Sequence, residues 1–198
     1  MSQSLAALRQ EYSLGALTKA EVNSDPVRQF QRWLDEAIKA ELPEPNAFTL
    51  ATADRTGRPF ARVVLLKDCD ADGFVFYTNY RSDKGQQLTE NPHAALVFLW
   101  LELERQVRIE GVVSKVSPAE SEAYFRTRPL ESRLGALASR QSQVVANRQV
   151  LEERYQQLAA QYPDDNIPMP NQWGGYRLKP EMLEFWQGRH GRMHDRLR

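Results

Sequence analysis

The sequence predicts a mainly β protein, a meandering barrel of antiparallel strands decorated by α-helices. Short apolar runs rich in β-branched residues follow one another across turn clusters, as consecutive hairpins do. These runs are not regularly interleaved with helical patterns, which argues against a doubly wound parallel sheet. No G-x-G-x-x-G opens a helix after a strand and no G-x-x-x-x-G-K-[ST] occurs, so side chains must hold the phosphate of any nucleotide-like cofactor.

Residues 1–24 are polar and mixed and read as a loosely held arm broken at Gly15. Asp25 and Pro26 then open a helix, Asp as N-cap and Pro at the first helical position. Phe30, Trp33, Leu34, Ala37 and Ile38 form its apolar face, and Pro43 and Pro45 end it. The period changes at residues 47–53, a short apolar strand closed by the turn cluster of residues 54–59. Residues 60–67 form the next strand, the Asp70-Ala71-Asp72-Gly73 turn makes a hairpin, and residues 74–78 return. A short helix is expected over 82–91, between that hairpin and a second one formed by strands 94–101 and 105–116. Ser117 and Glu120 make a capping box for a helix carrying Tyr124 and Phe125. Helices continue over 132–138 and 144–162, and two last strands are expected near 174–178 and 182–186.

The 198 residues suit one substantial domain, and 41% hydrophobic with 26% charged residues is an ordinary globular balance. Lys+Arg and Asp+Glu both number 26, so no bulk charge draws the chain to nucleic acid or anionic membrane. No apolar run approaches the roughly 20 residues of a membrane span, and the chain reads as cytoplasmic. The single cysteine, Cys69, excludes an intramolecular disulfide framework, and its acidic neighbours Asp68 and Asp70 disfavour a thiolate.

Cations at strand and helix ends are the main chemical signal. Arg62 and Lys67 bracket one strand, but their odd offset puts them on opposite faces unless a bulge or the strand's end intervenes. Lys84 starts a short helix, where backbone N–H groups and a cation can share a phosphate, and Gln141 and Ser142 begin the long helix. Each of these also fits a solvated surface position. Tyr124, Arg128 and Ser132 recur at helical spacing, with Pro129 as a break. Hydroxyl, guanidinium and hydroxyl suit a phosphate, and a plain helix surface suits the same spacing. The C-terminal stretch holds Arg192, Met193, His194 and Arg196. Interrupting acids speak against a nucleic-acid tail, and His190 and His194 have no third metal ligand, so no metal site is expected. The remaining reading is a site for an anionic aromatic ligand, with Arg192 and His194 alternating on one side of an extended segment.

That segment resembles the C-terminal signature of the pyridoxine 5′-phosphate oxidases. Leu183, Glu184, Phe185, Trp186 and Gln187 are followed, after four variable positions, by Arg192, Met193, His194, Asp195 and Arg196. The resemblance runs over essentially the whole chain, through Arg9 to Tyr12, Arg62 to Lys67, Tyr77-Thr78-Asn79, Glu104-Arg105-Gln106-Val107, Tyr124-Phe125-x-x-Arg128-Pro129, Arg140-Gln141-Ser142 and Trp173-Gly174-Gly175.

The resemblance implies an FMN-binding split β-barrel, homodimeric, with each site built from both subunits. It assigns FMN to Arg62, Val63, Val64, Leu65, Leu66, Lys67, Tyr77, Thr78, Lys84, Gln106, Gln141, Ser142, Trp186 and Arg196. Substrate phosphate falls to Lys67, Tyr124, Arg128 and Ser132. Arg192, Met193 and His194 cover the pyridine ring, with Arg192 and His194 as the catalytic pair, and Arg9, Gln10, Glu11 and Tyr12 close over it. The implied activity oxidises pyridoxine or pyridoxamine 5′-phosphate to pyridoxal 5′-phosphate with O2 as acceptor, releasing H2O2, and ammonia from the amine. Two departures accompany the resemblance. Asp83 stands where many members have Arg, and the family's final strand is expected to be missing after Arg198. A protein that carries FMN or pyridoxal phosphate without turnover, and a flavin reductase on the same barrel, are the competing readings.

Overall fold

The computed structural model describes residues 4–8, 11–164 and 166–198, so the expectations on Arg9 and Gln10 lie outside the described residues. After a 3-10 turn at Leu5–Ala7 come α1 (Pro26–Lys39), β1 (Ala47–Ala53), β2 (Pro59–Leu65), β3 (Asp68–Asp70), β4 (Gly73–Asn79) and α2 (Asp83–Glu90). Then follow β5 (His93–Trp100), β6 (Arg105–Lys115), α3 (Pro118–Thr127), α4 (Leu130–Ala138), α5 (Arg148–Gln161), β7 (Trp173–Gln187) and β8 (Asp195–Leu197). All strand pairs are antiparallel, in the order β2-β1-β5-β6-β7-β4-β3 with β8 also on β7. The sheet is a curled half-barrel, as a decorated antiparallel barrel requires.

Alternation along the strands makes the core. Phe48 and Leu50 on β1, Leu96 and Phe98 on β5, and Val107 and Ile109 on β6 all point inward and are buried. Helix α1 closes the barrel with Phe30, whose ring meets Phe74 at 5.0 Å and Phe98 at 4.8 Å edge-on. Its start is as expected, Asp25 accepting from the Val27 and Arg28 amides. Ile38, expected on the buried face, is instead 52% exposed, at the edge of the stripe set by Phe30, Trp33 and Ala37. A second cluster of Phe125, Leu134, Leu158, Ile167 and Trp173 lies beneath α3, α4 and α5.

Four local expectations are corrected. The two last strands are one, β7, running through Pro180. Its missing N–H is tolerated because the register shifts there: Gly111 faces Pro180 while Glu110 faces Met182. A Cβ on Gly111 would lie 2.1 Å from the Lys179 carbonyl oxygen, so only glycine permits that crossing. The long helix begins at Arg148, not near 144, because Asn147 caps the Val150 amide at 3.2 Å. Gln141 and Ser142 therefore lie in a turn before it, Ser142 with φ 68. Strand β2 stops at Leu65, and the Lys67 amide donates to Val75 at 2.8 Å, so Arg62 and Lys67 do not share one regular strand. The arm, expected to lie loosely, is tied from Glu11 onward, and Leu17 is buried in the main core. Among the described residues, no helix is long and apolar enough to cross a membrane.

Candidate functional site

A cavity of about 420 Å³ opens where β4, α3, α4 and the start of β7 meet. Lys67, Tyr77, Thr78, Tyr124, Arg128, Ser132 and Gln141 line it, together with Leu65 and Trp173. Pro129 breaks the helix row as expected, since a residue before proline is driven to extended backbone and Arg128 has ψ 146. Tyr124, Arg128 and Ser132 nonetheless face one cavity, because α3 and α4 meet at that break. The wall is aromatic: the Tyr77 and Tyr124 rings stack at 3.9 Å, and Tyr77 and Trp173 at 5.3 Å. Burial, then the charges of Glu120 and Tyr124, push the Tyr77 phenol up to about 12. Burial raises Tyr124 as well, against the pull of Arg128.

The Arg128 guanidinium lies 4.8 Å over Trp173 and 5.7 Å over Phe125. Burial holds it below the ordinary arginine value, with Tyr124 opposing and Arg133 adding to the fall. Its Nη1 is buried and has no hydrogen-bond partner. The Lys67 side chain is exposed at the mouth and makes no hydrogen bond or ion pair with any described residue. An unsatisfied buried donor is costly, and two cations on one cavity wall are a donor set that suits an anion.

Beside the cavity a polar cluster joins β4, α2 and the turn before α5. Thr78 Oγ1 donates to Gln141 Oε1 at 3.0 Å, and Lys84 Nζ reaches Gln141 at 3.2 Å and Thr78 at 3.3 Å. Lys84 sits in the first turn of α2, as expected, where the Ser82 hydroxyl caps the Gly85 amide. Burial and the charge of Arg62 lower the Lys84 ammonium, and Asp83 opposes. Arg62 is lowered by burial, again against Asp83. Its guanidinium is turned onto Thr52 Oγ1 at 2.6 Å, Gln87 Oε1 at 2.9 Å and the Leu50 carbonyl at 3.2 Å. Arg62 is therefore not on the cavity wall. Leu66 and Val64 give their side chains to the core, the Leu66 amide and carbonyl are both bonded to Asn46, and Val63 points outward, 68% exposed.

A second group lies at the other end of β7. Gln106, Trp186 and Arg196 are in register across β6, β7 and β8. Trp186 meets His194 at 4.7 Å, and the Tyr12 ring stands edge-on to both, 5.7 Å from Trp186 and 5.5 Å from His194. His194 Nδ1 accepts from the Arg189 amide at 3.0 Å, so its neutral ring carries the proton on Nε2. Glu11 accepts from the Gly191 amide at 3.3 Å. Arg192 and His194 are not alternating residues of an extended strand: Arg192 ends a 3-10 turn at His190–Arg192, with Gly191 at φ 63 and Arg192 at φ 62, and His194 follows that turn. Arg192 and Met193 are exposed. Arg196 pairs at 3.5 Å with Glu184, a buried carboxylate also met by Arg108 and Arg198.

Among the described residues no hydrogen bond, ion pair or ring contact links the two groups. From Trp173 to Trp186, β7 covers about 40 Å of strand at roughly 3.3 Å per residue. The expected site residues thus fall into two halves, one around the cavity and one around Trp186. Trp173, which carries Arg128, and Thr52 and Gln87, which hold Arg62, were not among them. Trp173 carried a sequence signal, the Trp173-Gly174-Gly175 motif, whereas Thr52 and Gln87 read as ordinary strand and helix positions and only three-dimensional packing marks them. No group of three or more His, Cys, Asp or Glu able to hold a metal occurs among the described residues.

The curled antiparallel sheet with its helical cap is the split-barrel architecture of flavin-binding proteins. A pyridoxamine 5′-phosphate oxidase-related, FMN-binding protein from Nostoc punctiforme shares the fold with a TM-score of 0.68 at 20% identity, over 88% of this chain and 91% of that one. PhzG from Burkholderia lata, solved with tetrahydrophenazine-1-carboxylic acid, matches with a TM-score of 0.88 at 32% identity, over 93% and 92% of the two chains. Residues 34–162 match the model of the pyridoxamine 5′-phosphate oxidase family, and residues 173–198 that of the pyridoxine 5′-phosphate oxidase C-terminal dimerisation region. The chain belongs to the pyridoxamine 5′-phosphate oxidase family, a family of oxidoreductases. It is 60% identical over 193 residues to the pyridoxine/pyridoxamine 5′-phosphate oxidase of Paraburkholderia phymatum, covering 98% of this chain and 91% of the relative. The enzyme of that name from Trichormus variabilis is 57% identical over 197 residues, covering 100% and 92%.

Proposed function

We propose that this protein is an FMN-dependent oxidase that converts pyridoxine or pyridoxamine 5′-phosphate to pyridoxal 5′-phosphate, working as a homodimer. The observation that carries the reading is the cavity's lining, in which half-buried Arg128 and exposed Lys67 set two cations beside an aromatic wall. That donor set fits a phosphate ester of a flat aromatic ring. A second cationic cluster, Lys84 with Arg62 behind it, fits the phosphate of FMN, with Thr78 and Gln141 holding the Lys84 ammonium in place. Two phosphates, each about −1.5 to −2 at neutral pH, call for two such clusters.

The separation of the two groups along β7 supports a shared site, in which the Trp186 end of one subunit covers the cavity of the other. Lys67 and Arg128 hold the substrate phosphate, and the Tyr124 and Ser132 hydroxyls donate to its remaining oxygens. Gln106, Trp186 and Arg196 flank the flavin from the second copy. Bound there, FMN would supply a two-electron acceptor for oxidation at the substrate's C4′ carbon, with O2 as the final oxidant. Arg192 orients the ring and balances negative charge that develops on it. His194, with Nδ1 committed to Arg189, offers Nε2–H to the ring substituents, and Tyr12 excludes water from above.

The test is the visible spectrum of the purified protein followed by a peroxide assay with both phosphorylated vitamers. A flavin spectrum and peroxide formed in step with pyridoxal 5′-phosphate are expected. Flavin-loaded protein inert to both vitamers refutes the reading.

A further inference from the structure

Next to Tyr12 the arm is anchored by the Glu104 carboxylate. Glu104 Oε2 accepts from the Ser13 amide and from the Leu14 amide, both at 2.9 Å. Two successive backbone donors converge on one carboxylate oxygen, immediately after Tyr12. Glu104 also holds the floor beneath that tyrosine, because its carbonyl oxygen accepts from the Gly188 amide at 2.7 Å and from Gln187 Nε2 at 3.2 Å. Gly188 lies directly under the ring: a Cβ there would stand 2.7 Å from Tyr12 Cγ. Glu104 itself is strained, with φ 53 and ψ 38, the left-handed region that favours glycine. Its carboxylate is what the strained backbone delivers to the arm. Farther on, Leu17 is held by Asp195, which accepts from its amide at 2.9 Å.

We propose that Glu104 is a positioning residue, a latch that fixes the arm so that Tyr12 stands on Trp186 and His194 over the substrate. The proposal rests on the reading above that Tyr12 faces the substrate. Neutral shape is not enough for this task, since a charged acceptor makes the stronger bonds to the two amides. Glycine at position 104 separates the latch from the fold, because it removes the carboxylate and relieves the left-handed strain together.

The experiment compares Glu104→Gly, Glu104→Gln and Tyr12→Ala in the FMN-loaded protein, with the Glu104→Gly/Tyr12→Ala double variant. Hydrogen–deuterium exchange over residues 11–17 should quicken in Glu104→Gly, with an unchanged flavin spectrum and no loss in melting temperature. KM for pyridoxine 5′-phosphate should rise about tenfold, equal to about 1.4 kcal/mol, with kcat changed far less. Glu104→Gln, which keeps an acceptor without the charge, should fall between. In the Tyr12→Ala background Glu104→Gly should add nothing, the sign that both act through one contact. Additive effects of the two changes, or exchange over 11–17 as fast in the parent as in Glu104→Gly, overturn the latch. A parent protein without oxidase activity whose arm is freed by Glu104→Gly refutes the oxidase reading and keeps the latch.

Discussion

Replacing Arg128 by methionine should stabilise the substrate-free protein while crippling substrate capture. Arg128 stands at the break between α3 and α4, and its Nη1 is buried without a partner. Leaving a buried donor unsatisfied costs about 1–3 kcal/mol. The stacking of its guanidinium at 4.8 Å from Trp173 returns about 1 kcal/mol, and a methionine thioether keeps a comparable contact with the ring. The net expectation is a gain of about 1 kcal/mol, read as a rise in melting temperature of about 2–4 °C for a domain of this size. With substrate the sign reverses, because charge-assisted bonds to the phosphate are worth about 1.5–3 kcal/mol. A loss near 3 kcal/mol lowers kcat/KM by about two decades. Differential scanning of the FMN-loaded protein and steady-state peroxide assays read the two quantities separately. A melting temperature several degrees lower with unchanged kcat/KM would falsify the assignment and make Arg128 a structural residue.

Glu184→Gln tests the buried carboxylate among Arg108, Arg196 and Arg198. Burial pushes this carboxyl up, but the Arg198 hydrogen bond and the arginine charges outweigh it and hold it below the usual 4.5. A depressed folded value means that its contribution is complete above pH 4.5 and is lost as pH falls below it. The glutamine variant should lose about 1–2 kcal/mol at neutral pH, discounted for the exposed arginines, and show a flatter acid limb in urea melts. An acid limb as steep as the parent's removes Glu184 from that role. Cys69, pushed up to about 12 by burial and then by Asp70 and Asp68, should resist Ellman's reagent at pH 8 until the protein unfolds. Rapid labelling of native protein contradicts this. Asp83→Asn should tighten FMN binding about two- to fivefold in a fluorescence-quenching titration, because Asp83 is the counter-charge to Lys84 and Arg62. Weaker binding in that variant shows that Asp83 instead helps to build the phosphate site.

Local chemistry was legible in the chain because it is written within a few residues. Asp25 and Ser117 cap their helices as their positions indicated, each accepting from amides two or three residues on. The alternation of Val107, Ile109 and Val113 marked the inner face of β6, and the ordered motifs around Arg128 and Trp186 marked the family. The capping box was half legible: Ser117 caps Glu120, but the Glu120 carboxylate goes to Arg177, distant in sequence.

Tertiary structure alone decided what depends on partners far along the chain. Two strands were expected on either side of residues 179–181, and only the register shift opposite Gly111 shows that β7 continues through Pro180. Tyr124, Arg128 and Ser132 share a cavity across the break at Arg128 and Pro129, not because a helical row survives. Nothing near Glu104 in the sequence points to Ser13 and Leu14, about ninety residues away. Caps and periodicity are short-range preferences that each segment carries with it. Register, cavities and latches arise only when the packed sheet brings separate segments to within hydrogen-bonding distance.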